Sequence, residues 1–327
     1  LRYLLAAILS FSIAVIISPM VIKWTKKLKF GQNILSYVEN HKQKQGTPTM
    51  GGIIFIFSSI IASLCFVDKF SSMALVGIAV FFAFGVLGFL DDFIKIKYKR
   101  NLGLRAYQKV IGQLSISIII GLYVYFSGFV GSNIIIPFSD ISLKLGAFII
   151  PFVVFIFIAT TNSVNLTDGL DGLAGGTTLI YLIGIGVIMA LGFGNLDSYA
   201  LVQQQNMLVL ICAVVGGVGG FLIFNSHPAS IFMGDTGSLA LGSIVALSGC
   251  FTGLELYIPI LGLMFVLSTV SVIIQVLHFK RTKKRVFLMA PLHHHFEKKG
   301  MYETKIVTIY IIITALLSVI SVVFNIM

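Results

Sequence analysis

The sequence predicts an all-α polytopic integral membrane protein, and three observations lead there. Of its 327 residues, 57% are hydrophobic and only 11% charged, against about 25% charged in ordinary soluble domains. The mean hydropathy is +1.01, and apolar runs repeatedly approach the ~20 residues that cross a bilayer as a helix. Those runs are continuous rather than alternating, which excludes a transmembrane β-barrel as well as a soluble globular fold.

Ten spans are predicted, at residues 3–22, 50–67, 73–90, 110–128, 146–163, 173–192, 207–224, 239–253, 258–278 and 306–326. Residues 1–327 are read as a single transmembrane domain. The first run leads straight into basic residues with no small-residue cleavage site, so it reads as a retained helix rather than a signal peptide. Cys65, Cys212 and Cys250 sit inside apolar runs without paired spacing. They are expected as small core hydrophobes, neither disulfides nor metal ligands.

The net charge is +11, but its distribution speaks against a nucleic-acid partner. Every Lys and Arg except Arg2, Lys69 and Lys144 falls in the loops after the first, third and ninth predicted helices. By the positive-inside bias those loops are cytoplasmic, which places both termini on the extracytoplasmic side. The opposite loops, around 68–72, 129–145, 193–206 and 254–257, look short and plain.

Each cytoplasmic loop carries a dense polar motif. GTPTMGG (Gly46 to Gly52) has helix breakers that bare backbone N–H groups to an anion; a turn opening the second helix, with Thr49 as its cap, explains it equally well. GFLDDFIK places Asp91 and Asp92 at a membrane boundary, where ionisable groups are costly. Lys95 follows Asp91 by four residues, as in a simple helix-surface ion pair. NLTDGLDGLAGG (Asn165 to Gly176) contains no Lys or Arg, so Asp168 and Asp171 need a cation or donors from elsewhere. The three-residue spacing of Asn165, Asp168 and Asp171 places them on one side if the segment is helical.

In FNSHPASIFMGDTGSLALG (Phe224 to Gly242), Asp235 lies among glycines at the start of a helix. That setting suits phosphate with a hard divalent cation, or a simple capping turn. APLHHHFEKKG (Ala290 to Gly300) lies in the most basic loop. Its consecutive histidines lack zinc spacing and point toward phosphate contact. Carboxylates amid a positive field are what a Mg²⁺–diphosphate site needs, and no Walker motif is present.

These five motifs, in this order and over nearly the whole chain, resemble the polyprenyl-phosphate N-acetylhexosamine-1-phosphate transferases. GTPTMGG and PLHHHFE are similar to the phospho-N-acetylmuramoyl-pentapeptide transferase branch. The resemblance implies ten helices and a Mg²⁺-dependent reaction at the cytoplasmic face of the bacterial cell membrane. In it, UDP-MurNAc-pentapeptide and undecaprenyl phosphate give lipid I and UMP, the first membrane step of peptidoglycan synthesis. A homodimer is also implied.

Site roles follow from the resemblance by motif position. Asp235 matches the metal ligand, and Asp91 and Asp92 match the pair that activates the lipid phosphate or organises the metal. Asn165 and Asp168 match positions near the ribose; Asp171, Lys44 and Phe232 match the uracil pocket. Thr49 and Asn225 match further nucleoside-side positions. Lys109 matches the lysine after the aspartate pair, and Gln275 and His293 to His295 match the region of the ninth helix that contacts substrate; of these Lys109, His293 and His294 are expected, with Asp91, Asp92 and Asp235, to be catalytic, and Gln275 and His295 to bind substrate. No role attaches to His227.

Three other readings compete. An intramembrane aspartyl protease would bury its aspartates mid-span. A secondary transporter would place ionisable groups at the midplane, often in inverted repeats. A GlcNAc-1-phosphate transferase of the same superfamily differs only in its donor sugar.

Overall fold

The computed structural model describes residues 1–27, 46–68, 71–98, 103–127, 130–139 and 141–326. Lys44 lies outside them. The described residues form a multi-pass helical membrane protein. Helices α1 (Arg2–Lys27), α3 (Ser72–Lys97), α4 (Ala106–Phe126), α5 (Ile149–Thr167), α6 (Leu173–Leu191), α7 (Ser198–Asn225), α10 (Leu263–Thr282) and α12 (Glu303–Ile326) are long and apolar enough to cross a bilayer. Shorter helices are α2 (Gly52–Phe66), α8 (Gly234–Cys250), α9 (Ile258–Leu261) and α11 (Leu292–Lys298).

Each predicted span meets a helix, with three differences. The seventh starts at Ser198 rather than 207. Its polar QQQN stretch stays helical because its amides are used: Gln203 Oε1 accepts from Ser71 Oγ and the Met73 N–H, both at 3.1 Å. Asn206 Oδ1 likewise accepts from the Asp68 N–H at 2.9 Å. The eighth begins at Gly234, so Asp235 falls in its first turn. The ninth is broken at Gly262 into α9 and α10.

α8 is the axis of the bundle. Every residue from Thr236 to Cys250 is buried, with α3, α5, α2 and α6 packed around it. Its Gly, Ser and Ala residues let neighbouring backbones approach closely, as in other helix packings within membranes. Gly88 of α3 shows how tight this is: a Cβ there would collide with the Asp235 carbonyl oxygen. A second seam joins α1 to α7, where Ala6, Ser10, Ala14 and Ser18 are all buried on one face of α1.

α10 is the counter-case, leaving Ile273, Ile274, Val276 and Leu277 exposed, as suits a lipid-facing helix. Cys250 is buried as expected, but Cys65 is exposed and Cys212 only partly covered; apolar residues on outward helix faces need no core. The loop at 129–145 is not plain. Among its described residues, β1 (Asn133–Ile135) pairs antiparallel with β2 (Ser142–Lys144), with Ile134 buried. The 254–257 loop buries Glu255.

A carboxylate–lysine cluster at one end of the bundle

Asp91 and Asp92 occupy the last turns of α3, and both are buried. Adjacent helical residues point in different directions, so the two engage different partners. Asp92 reaches α8: its Oδ2 accepts from the Thr236 N–H at 2.9 Å and the Thr236 hydroxyl at 2.7 Å. Its Oδ1 accepts from the Asp235 N–H at 3.2 Å. Asp92 therefore binds the opening N–H groups of α8, which lack helical partners and favour an anion.

Asp91 turns the other way, and its Oδ1 accepts from the Leu104 N–H at 2.9 Å. This anchors the start of the segment leading into α4, which carries Lys109.

Asp235 is the meeting point. Its Oδ2 takes Lys95 Nζ at 2.8 Å and Lys109 Nζ at 3.0 Å, while its Oδ1 accepts from Asn165 Nδ2 at 2.7 Å. Lys95 also lies 2.6 Å from Asp91 Oδ2 and 3.6 Å from Asp92 Oδ1. The local ion pair read from spacing is present, but Lys95 belongs to the cluster as a whole. Oxygens of Asp91, Asp92 and Asp235 lie within 4.8 Å of one another. These are hard, anionic, oxygen-only donors, the set that Mg²⁺ takes in preference to softer metals. A lysine ammonium drawn in among all three shows the demand for positive charge there. The residues fit a magnesium ion.

The GTPTMGG loop is held against this cluster by backbone pairing. Phe232 N–H donates to Pro48 O, Gly51 N–H to Phe232 O, and Gly52 N–H to Met233 O, at 2.8, 2.8 and 3.0 Å. Thr49 makes no side-chain cap; its hydroxyl lies beside Gly234, next to the Asp92 carboxylate. Gly234 adopts φ +69°, and a Cβ there would press on both groups, so no other residue suits the turn.

Asn165, Asp168 and Asp171 do not share one face. α5 ends at Thr167, and the chain then turns through Asp168 and Gly169. Asn165 stays with Asp235 and Ser238. Burial raises the Asp168 carboxyl well above its usual range, and the charges of Asp235, Asp92 and Asp171 add to it. Asp171 joins a separate group with His227 and Glu303.

The histidine motif forms α11. His293 is fully buried, and its ring and that of His294 lie against Gly169. Burial, with the neighbouring His294, lowers the His293 imidazole to about 3 although Glu297 opposes the shift, so the ring is neutral at ordinary pH. His294 pairs with Glu297 at 2.9 Å.

Gln275 and His295 bond to the backbone of the segment after α10. Gln275 Oε1 accepts from the Val286 and Phe287 N–H groups, both at 3.0 Å, and its Nε2 donates to Phe287 O at 3.1 Å. His295 Nδ1 accepts from the Leu288 N–H at 3.1 Å. Both shape the 286–288 turn. Asn225 is likewise bound at both ends, accepting from the Gly172 N–H and donating to Ile231 O. It knits two loops together beside the cluster. Lys95, Thr236 and Ser238 were not singled out from the sequence as site residues. Lys95 was masked by its local ion pair; the hydroxyls were legible only as part of GDTGS.

A family model for glycosyl transferase family 4 matches residues 71–252. A phospho-N-acetylmuramoyl-pentapeptide-transferase signature matches residues 44–56. Among curated relatives, a phospho-N-acetylmuramoyl-pentapeptide-transferase of Clostridioides difficile (strain 630) is 46% identical over 318 residues, covering 97% of this chain and 96% of the relative. One of Clostridium novyi (strain NT) is 46% identical over 317 residues, covering 97% and 94%. One of Geobacillus sp. (strain WCH70) is 46% identical over 311 residues, covering 94% and 92%.

Proposed function

The chain belongs to the phospho-N-acetylmuramoyl-pentapeptide-transferase family, and from that premise we propose that the carboxylate–lysine cluster of α3, α4 and α8 is its catalytic centre. The reaction transfers phospho-MurNAc-pentapeptide from UDP-MurNAc-pentapeptide to undecaprenyl phosphate, giving lipid I and UMP. The site faces the cytoplasm of a bacterial cell, on the side marked by the basic loops, and the isoprenoid stays in the bilayer throughout. The observation that carries this reading is the convergence of Asp91, Asp92 and Asp235 with Lys95 and Lys109.

A phosphomonoester has a second pKa near 6, so the lipid phosphate is already mostly dianionic at about pH 7. Removing a proton from it gains little. The larger barrier is repulsion between that dianion and the donor diphosphate. Lys109 and Lys95, poised on Asp235, meet that charge with ammonium groups held in place before the substrates arrive, the arrangement that stabilises developing charge most effectively. Asp91, Asp92 and Asp235 are the residues that would hold Mg²⁺, whose chemistry here is to neutralise the diphosphate and stabilise departing UMP.

Asp92 also locks the first turn of α8, which keeps Asp235 aimed at the cluster. The lipid phosphate oxygen attacks the sugar-linked phosphorus in line, the bond to the UMP oxygen breaks, and UMP carries away the electron pair. No carboxylate becomes phosphorylated. The nucleoside is held on the side of Asp168, Asp171 and Phe232, with His293 and His294 bordering the 168–169 turn.

The test is UMP release by the purified protein with undecaprenyl phosphate and either UDP-MurNAc-pentapeptide or UDP-GlcNAc. UMP from the muramoyl donor alone is expected. UMP from UDP-GlcNAc alone would move the chain to the sister reaction, and a phosphosugar–aspartate trapped by rapid quench would refute direct attack.

A further inference from the structure

A closed ring of polar contacts, hydrogen bonds and one longer His–carboxylate approach, joins Asp171, His227 and Glu303 and shares no residue with the catalytic cluster. Asp171, in the turn before α6, is almost fully buried. Its Oδ2 accepts from the Ala229 N–H at 3.0 Å and faces His227 Nδ1 at 3.3 Å. His227 Nδ1 also lies 3.5 Å from Glu303 Oε2. Glu303, the first residue of α12, closes the ring: its Oε1 accepts from the backbone N–H of Asp171 at 2.6 Å. Asp171 is thus held twice, by its main chain through Glu303 and by its carboxylate through His227 and Ala229.

Three segments distant in sequence meet here: the turn after α5, the loop after α7 and the start of α12. The Ala229 N–H and the His227 ring both meet Asp171 Oδ2, which restricts rotation of the carboxyl group. His227 Nδ1 lies close to both carboxylates, so the imidazole sits between the side chain of Asp171 and that of Glu303. A recognition group must be held within about 0.5 Å and 10–20° of its productive geometry by neighbours of this kind.

We propose that His227 and Glu303 are positioning residues for donor recognition, acting through Asp171 on the uridine end of the UDP-sugar. The proposal rests on the reading of Asp171 as a nucleoside contact. It predicts a split in the kinetics: the KM for the UDP-sugar rises while the KM for undecaprenyl phosphate and kcat hold, because the ring does not touch the acid–lysine cluster.

The experiment measures steady-state UMP release by His227→Ala, Glu303→Ala and Asp171→Ala. His227→Asn, which keeps a side-chain donor, and Glu303→Gln, which keeps the acceptor for the Asp171 N–H, run alongside. The expected result is a rise of about tenfold in donor KM for His227→Ala and Glu303→Ala, with kcat within about twofold. Recovery of most of that loss is expected in His227→Asn and Glu303→Gln. The double variant Asp171→Ala/Glu303→Ala should be no worse than Asp171→Ala alone, since a positioning residue has nothing left to position.

If Asp171→Ala raises the donor KM but neither Ala variant of the ring does, the proposal is overturned and the nucleoside reading of Asp171 stands. If Asp171→Ala leaves the donor KM unchanged, both fail. If the Ala variants lose kcat and the KM values of both substrates change together, the ring is structural and the proposal is overturned. Should an Ala variant fail to fold, His227→Phe, which keeps a ring and loses the polar nitrogen, decides. A donor KM raised with kcat held supports the proposal, and a donor KM unchanged while Asp171→Ala is impaired overturns it.

Discussion

Lys95 and Asp235, separated by 140 positions, meet at 2.8 Å and tie the end of α3 to the first turn of α8. The same ammonium reaches Asp91 and Asp92, so one cation serves three carboxylates. Without it, Asp91, Asp92 and Asp235 would face one another across a few ångströms, with Lys109 as the remaining neighbour on Asp235.

Lys95→Ala should therefore lower kcat by about 10²–10³, the usual cost of removing one preorganised electrostatic group. Lys95→Arg should recover only part of it, since a planar guanidinium cannot sit among three carboxylates as a point charge does. UMP release under saturating substrates reads both. Wild-type turnover in a folded Lys95→Ala protein would show the lysine to be an ion-pair partner and nothing more.

Gly88→Ala tests the close approach of α3 to α8. The added methyl group would meet the Asp235 carbonyl oxygen, a backbone atom that cannot swing aside. Overpacking of this kind costs about 1–3 kcal/mol. The thermal midpoint in detergent should fall, and activity should fall with it, because the helix that moves is the one carrying Asp235. Gly192→Ala, where a Cβ meets nothing, is the control and should change neither.

Glu255 predicts a pH dependence of stability. It lies in the short turn between α8 and α9 and is only 3% exposed. Its Oε2 has no hydrogen-bond partner among the described residues. Burial pushes its carboxyl up to about 8, against a smaller opposing effect of its own backbone N–H. In the unfolded chain it would ionise near the model-peptide value of 4.5. The folded protein therefore binds the proton more tightly than the unfolded one. The stability this represents is complete below about pH 4.5 and is lost as pH rises to about 8. Glu255→Gln should remove that slope, leaving a smaller fall in thermal midpoint over this range than in wild type. Parallel pH profiles for the two proteins would contradict the assignment.

The spans were legible because long apolar runs have one stable form in a bilayer. What was illegible required tertiary partners. QQQN interrupts an apolar run and looks like a loop; it continues α7 only because Gln203 and Asn206 bind the chain around Ser71 and Asp68. Asp91, Asp92 and Asp235 were readable as a set, since ionisable acids at a membrane edge demand explanation. Lys95 was not, because an i,i+4 pair explains it without reference to α8.

The even spacing of Asn165, Asp168 and Asp171 misled for a simpler reason: the helix that would align them ends at Thr167. The bonds of Gln275 and His295 were not legible either. Their polar atoms satisfy a turn eleven and seven residues away in sequence, which no local pattern announces.

The measurement closest to the central claim is UMP release from UDP-MurNAc-pentapeptide and undecaprenyl phosphate as Mg²⁺ is titrated, for wild type and Asp235→Asn. The account predicts wild-type turnover that is abolished by EDTA and restored by Mg²⁺, and a folded Asp235→Asn protein slower by about 10²–10³ at every Mg²⁺ concentration. A folded Asp235→Asn protein that turned over at the wild-type rate would place the chemistry elsewhere in the molecule.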